Sequence, residues 1–160
     1  MAKWPPPTYR FRTEFPVPLD YAYRWCTDYQ PDDGARSKET YERRVIRRTA
    51  RTVVYEDLWW EKDGWRWRRY RVALHPPDRW TAEGWGNVRD VNAAYVLSEL
   101  PGNRTRLDLT LRRRPHALRP SQPTPAAMQK DLGTMWGNFG VSMVRDYRSS
   151  SHRRSKPTRR

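Results

Sequence analysis

Residues 104–114, RTRLDLTLRRR, place Leu107, Leu109 and Leu111 on one parity and Arg106, Asp108, Thr110 and Arg112 on the other. Side chains alternate between the two faces of an extended chain, so this run is a strand with one apolar and one polar face. Five runs precede it: ERRVIRRT (42–49), RTVVYEDLWW (51–60), GWRWRRYRVALH (64–75), RWTAEGWGN (79–87) and VNAAYVLSEL (91–100). All are rich in β-branched and aromatic residues, the types that suit a half-buried pleated surface. Turn chemistry separates several of them: Asp63-Gly64, Pro76-Pro77 and Pro101-Gly102-Asn103. With TYRFRTE (8–14), where Tyr9 and Phe11 share a parity, the chain reads as about seven strands of an antiparallel sheet.

One strand breaks its own pattern. Trp65 and Trp67 share one parity of 64–75, whereas Tyr70, Val72 and Leu74 share the other. A one-residue slip near Arg68-Arg69 brings all five to one side, which predicts a β-bulge and a bent strand there. Gly84 and Gly86 in the next strand suit sharp curvature.

Two helical segments flank the strands. Pro16 and Pro18 end the first strand, Asp20 stands at an N-cap position, and Tyr21, Trp25 and Cys26 fall at helical spacing, so residues 20–29 read as a short amphipathic helix. QPDDGARSK (30–38) is turn-rich. After the Pro-rich loop 115–125, Thr124-Pro125 reads as an N-cap followed by proline at the first helical position. Met128, Leu132, Met135, Trp136, Phe139 and Met143 then recur every three or four residues, a stripe that predicts one long helix to about residue 149. Gly133, Gly137 and Gly140 weaken that helix but allow it close to a sheet. A curved sheet must bury its concave face, and only this last helix is long enough to cover it. The fold class is therefore α+β, a curved antiparallel sheet of about seven strands wrapped around a long C-terminal helix.

That element order resembles the START-like superfamily, also called SRPBCC or birch-pollen-allergen-like, over about residues 8–149. The stretches that carry the resemblance are FRTEFPVPLDYAYRWCTDY, LWWEKDGWRWRRYRVALHPPDRWTAEGW and MQKDLGTMWGNFGVSMVRDYRSS. The resemblance implies a helix-grip fold with a central cavity for lipids, sterols, polyketides or plant metabolites; some members are cyclases. On this reading residues 1–7, with Pro5-Pro6-Pro7, are an extended lead-in, 8–149 the domain, and 150–160 a basic, disordered tail.

Within such a cavity the candidate ligand-binding residues are Tyr55, Trp59, Trp67, Tyr70, Trp85 and Tyr95 from the strands. Leu109 joins them from the last strand, and Trp136, Phe139 and Met143 from the long helix. Ligand pockets are mostly apolar with a few polar groups, which fits this set. Glu56-Asp57 and Glu83 interrupt the apolar strands as candidate cavity carboxylates. Alternation sends one of Glu56 and Asp57 inward, with an arginine such as Arg69 or Arg71 as the expected partner. Binding is favoured over catalysis; any chemistry would be cyclase- or hydrolase-like. The three histidines, His75, His116 and His152, lie apart and read as solvated, and Cys26 reads as a buried, inert thiol. No metal or cofactor is expected, and no catalytic residue is assigned.

Charge opens a second reading. Lys and Arg number 32 against 18 Asp and Glu, a net charge of +14. Residues 148–160, RSSSHRRSKPTRR, contain no acid. Polyanions are attracted to such a surface, so the alternative is an RNA-, ribosome- or anionic-surface-associated protein that uses the basic tail and the arginine–tryptophan run 65–71. A ligand-sized cavity of roughly 300 Å³ or more separates the first reading from the second, which expects a filled core. With one cysteine, no signal-like start and no apolar run of membrane length, the expected compartment is the cytoplasm, with no transmembrane segment.

Overall fold

A computed structural model describes the backbone of residues 4–154 and the side chains of residues 4–151. The chain runs β1 (Tyr9–Phe15), α1 (Leu19–Cys26), α2 (Asp33–Arg36), β2 (Glu42–Arg48), β3 (Thr52–Glu61), β4 (Gly64–His75), β5 (Arg79–Gly86), β6 (Arg89–Leu100), β7 (Arg104–Pro115) and α3 (Pro125–Arg154). The strands form one antiparallel sheet in the order β1-β7-β6-β5-β4-β3-β2. Strands β2 to β7 are successive hairpins, and β1 returns to pair with β7, so α1 and α2 carry the chain from one sheet edge to the other.

The alternation of β7 fills the concave face. Leu107, Leu109 and Leu111 stand opposite Leu97, Tyr95 and Ala93 of β6 on one side and Thr13, Phe11 and Tyr9 of β1 on the other. All three leucines are buried, and each such side chain removed from water contributes about 1.5–3 kcal/mol.

Helix α3 begins as its local signal dictates: the Thr124 hydroxyl accepts the Ala127 N–H at 3.1 Å. Its glycines do not act alike. A Cβ on Gly140 would lie 3.3 Å from the Phe15 ring, whereas one on Gly137 would meet nothing within 4 Å and one on Gly133 only Phe11, at 4.0 Å. Only Gly140 therefore serves a close approach. The helix packs nearest β1, α1 and α2 and stands off from the middle of the sheet. Trp25 Nε1 donates to Asp146 at 3.0 Å, Asn138 Nδ2 to the Ser37 carbonyl at 3.0 Å, and Ser142 Oγ to the Arg36 carbonyl at 3.1 Å.

Four expectations change. No bulge interrupts β4, which pairs without a slip from Thr52↔Ala73 to Glu61↔Gly64 on one side and from Arg68↔Gly86 to His75↔Arg79 on the other. Trp65 and Trp67 therefore point outward, and Arg66 and Arg68 point inward. The register shift falls instead in β2, between Val45 and Arg47. Pro18, not Asp20, occupies the N-cap of α1; Asp20 sits in the first turn and pairs with Arg24 at 3.3 Å. Finally, Asp33–Arg36 forms a short helix inside the turn-rich segment, and α3 continues to Arg154, into the expected tail. The rest of that tail, 155–160, and residues 1–3 of the lead-in lie outside the described residues. No helix among the described residues is long and apolar enough to cross a membrane.

Candidate functional site

Where α3 stands off from the sheet there is a cavity of about 530 Å³, floored by β2–β7 and closed by α1 and α3. Two glycines shape its floor. A Cβ on Gly84 would come within 2.4 Å of the Tyr70 ring, and one on Gly86 within 2.2 Å of the Trp67 carbonyl oxygen. Glycine at 84 lets Tyr70 lie flat across β5, and glycine at 86 lets the β4 backbone come close.

Aromatic rings make the walls. Tyr29, Tyr55 and Tyr70 stack in series, with centroids 5.0 and 5.1 Å apart. Across the cavity Trp80 and Tyr95 stack at 4.7 Å and 5°, and Trp136 bridges Tyr95 to Phe139 at 6.1 and 5.5 Å. Burial pushes the phenols of Tyr29, Tyr55 and Tyr95 well above their ordinary range, so they stay neutral. The indole N–H groups of Trp80 and Trp136 are buried and meet no acceptor among the described residues.

One end is polar. Arg43 reaches in from β2 and grips Asp57 with two bonds of 2.8 and 3.0 Å, while its third nitrogen holds Asp33 at 2.5 Å. Its guanidinium lies 4.1 Å over the Tyr55 ring. Arg68 lies 4.6 Å over Trp59 and 3.9 Å from Asp57. Arg89 and Arg113 also line the cavity. Just behind, burial and then Asp33 push the Asp28 carboxyl up to about 6, against the pull of Arg36. Burial likewise raises the Cys26 thiol, which disfavours its thiolate.

Tyr55, Tyr70, Tyr95, Leu109, Trp136 and Phe139 line this cavity. Trp59 shares the concave face but sits behind Arg68, its N–H bonded to Glu61 at 2.9 Å. Met143 is fully buried in packed core beyond the cavity. Trp67 and Trp85, expected in the cavity, both stand on the convex face, 41% and 42% exposed: Trp67 because β4 runs without a bulge, and Trp85 because it alternates with the buried Trp80, Ala82 and Gly84 of β5 and pairs with outward Arg69. Glu83 is exposed on that same face opposite Arg71, so it is not a cavity carboxylate. Of the adjacent acids, Asp57 turns in, to Arg43 and Arg68; Glu56 turns out and bonds Arg69 at 2.8 Å. His116 is not simply solvated, since its Nε2 lies 3.0 Å from Asp90. Among the described residues no cluster of His, Cys, Asp and Glu has the composition to hold a metal.

Sequence reasoning missed the inward arginines. Parity held the signal: Arg113 continues Leu107, Leu109 and Leu111; Arg68 precedes Tyr70 and Val72; Arg89 precedes Val91, Ala93 and Tyr95. Each was passed over because a charged side chain is not expected on a core face.

No family model matches the sequence, and no curated protein matches it. Solved structures do. The Zhui aromatase/cyclase from a Streptomyces species superposes with a TM-score of 0.62 at 14% identity, covering 94% of this chain and 96% of that one. A START superfamily protein from Mycobacterium smegmatis gives 0.65 at 9% identity, covering 86% and 97%. Ara h 8.0201 gives 0.65 at 10% identity, again covering 86% and 97%. This is the START-like helix-grip fold. In the helix grip seen here the sheet curls around α3, and the cavity exceeds the size that separates a ligand-binding reading from a filled core.

Proposed function

We propose that the protein binds an apolar, largely aromatic small molecule, a polyketide- or lipid-like compound, in the helix-grip cavity. The observation that carries this reading is the 530 Å³ space walled by two aromatic stacks. Flat rings in parallel present π-faces to a flat ligand and lose little side-chain entropy on binding. The aromatase/cyclase that shares the fold is consistent with a polycyclic ligand class.

Fluorescence titration with the neutral dye phenylnaphthylamine tests the reading. Saturable one-site binding is expected, weakened about fivefold by Tyr95→Leu, which removes one aromatic stack worth about 1 kcal/mol. No binding by the folded wild-type protein overturns it.

A further inference from the structure

The cavity holds more positive charge than its own carboxylates neutralise. Arg68, Arg89 and Arg113 come from β4, β6 and β7 and share one end of the concave face. The register places Arg68 opposite Gly86, Arg89 opposite Pro115 and Arg113 opposite Val91. All three line the cavity. The Nε–H of each is buried and meets no hydrogen-bond acceptor among the described residues.

Their neighbours explain why. Asp57, 3.9 Å from Arg68, is already held by two bonds to Arg43. Arg89 and Arg113 form no ion pair among the described residues. Asp90, next in sequence to Arg89, faces the other way and serves Arg114 and His116. From α3, Asp131 acts on Arg113 only at longer range, and Lys130 beside it adds positive charge. Arg119 adds to the repulsion on Arg89, and its own partner is Glu61. Burial first, then Arg113 and Arg68, drives the pKa of Arg89 downward, and burial first, with Arg68 acting the same way, drives that of Arg113 downward.

Buried charges are normally paired. Arg43, a few strands away in the same cavity, obeys that rule with two carboxylates. Arg89 and Arg113, without a carboxylate partner among the described residues, and Arg68, whose Asp57 at 3.9 Å is already committed to Arg43, together form a fork of donors suited to a planar or tetrahedral anion. We infer that the ligand carries one anionic head group, a carboxylate or a phosphate, which seats among Arg68, Arg89 and Arg113 while its apolar body lies along the aromatic walls. This deepens the cavity-binding reading and rests on it.

Two dyes that differ by one anionic group test the inference. Anilinonaphthalene sulfonate is phenylnaphthylamine with a sulfonate added. The wild-type protein should bind the sulfonate at least tenfold more tightly. Arg89→Gln with Arg113→Gln should remove most of that preference and leave the neutral dye's affinity within about twofold. Arg104→Gln, which changes an exposed arginine paired with Glu14 far from the cavity, should leave both affinities unchanged. Competition then identifies the head group: whichever of naphthoate and naphthyl phosphate displaces the dye at lower concentration is the chemistry the site takes. Equal affinity for the two dyes, or displacement by naphthyl methanol as readily as by either anion, overturns the inference and leaves cavity binding intact. Failure of both dyes overturns the cavity reading itself. If the double variant does not fold, the wild-type dye ratio and the competition series decide alone.

Discussion

Glu56 and Asp57 are neighbours on β3 that face opposite sides of the sheet, and the contrast between them gives a quantitative test. Asp57 is 2% exposed at its side chain, and Arg43, which grips it with bonds of 2.8 and 3.0 Å, is 7% exposed. Removing one member of a buried pair leaves the other charged and unmatched, which costs about 3–5 kcal/mol. Asp33 remains bonded to Arg43 and softens the loss, whereas Arg68 loses the carboxylate 3.9 Å from it. Asp57→Asn should therefore cost about 3 kcal/mol, near the lower end, and lower Tm by about 6–12 °C for a chain of this size. Glu56 and Arg69 are 33% and 45% exposed, so Glu56→Gln should cost under about 1 kcal/mol. Urea melts followed by tryptophan fluorescence measure both. A loss below about 1 kcal/mol for Asp57→Asn, or equal losses for the two variants, would refute the assignment of Asp57 to the buried network.

Two further outcomes follow from the same structure. Asp28 titrates at about 6 in the folded protein against about 3.9 unfolded, so the native state holds its proton longer and stability falls as pH rises from 4 to 6. Discounted for partial exposure, that fall is about 1–2 kcal/mol; Asp28→Asn should remove it, leaving a residual slope of the same sign from Asp33, and parallel melting curves for variant and wild type between pH 4 and 7 would sink the assignment. Trp67→Ser and Trp85→Ser, both on the convex face, should each change stability by about 1 kcal/mol or less and leave dye affinity unaltered; a loss of binding as large as that from Tyr95→Leu would place them back inside.

Some elements are legible residue by residue because one local period explains them. The leucines of β7 alternate, the Thr124-Pro125 start of α3 needs no partner, and both stand where the pattern puts them. Short helix α2 was hidden because four residues, Asp33–Arg36, carry too few signals to rise above a turn. The candidate site was legible in its aromatic half and in one carboxylate: the sequence marks Tyr55, Tyr70, Tyr95 and Trp136 and the inward turn of one of Glu56 and Asp57, but not Tyr29 and Trp80, which stack on two of those rings.

The orientation of β4 shows where sequence alone stops. Hydrophobicity argues that Trp65 and Trp67 belong inside, and a bulge is the local device that would put them there. Pairing decides otherwise, since a strand held in unbroken register by both β3 and β5 has no freedom to slip. Trp67 and Trp65 turn to solvent, and Arg66 and Arg68 turn in, where Glu61, Asp57 and the Trp59 ring receive them. The amino-acid sequence thus determined the strand and helix periods, the order of elements and the apolar face of β7, all of which depend on neighbours in the chain. Tertiary structure alone decided which face of β4 looks inward, how far α3 stands from the sheet, and that Arg68, Arg89 and Arg113 share one end of the space between. Those depend on side chains far apart in sequence and on ties such as Trp25 to Asp146, which no local period records.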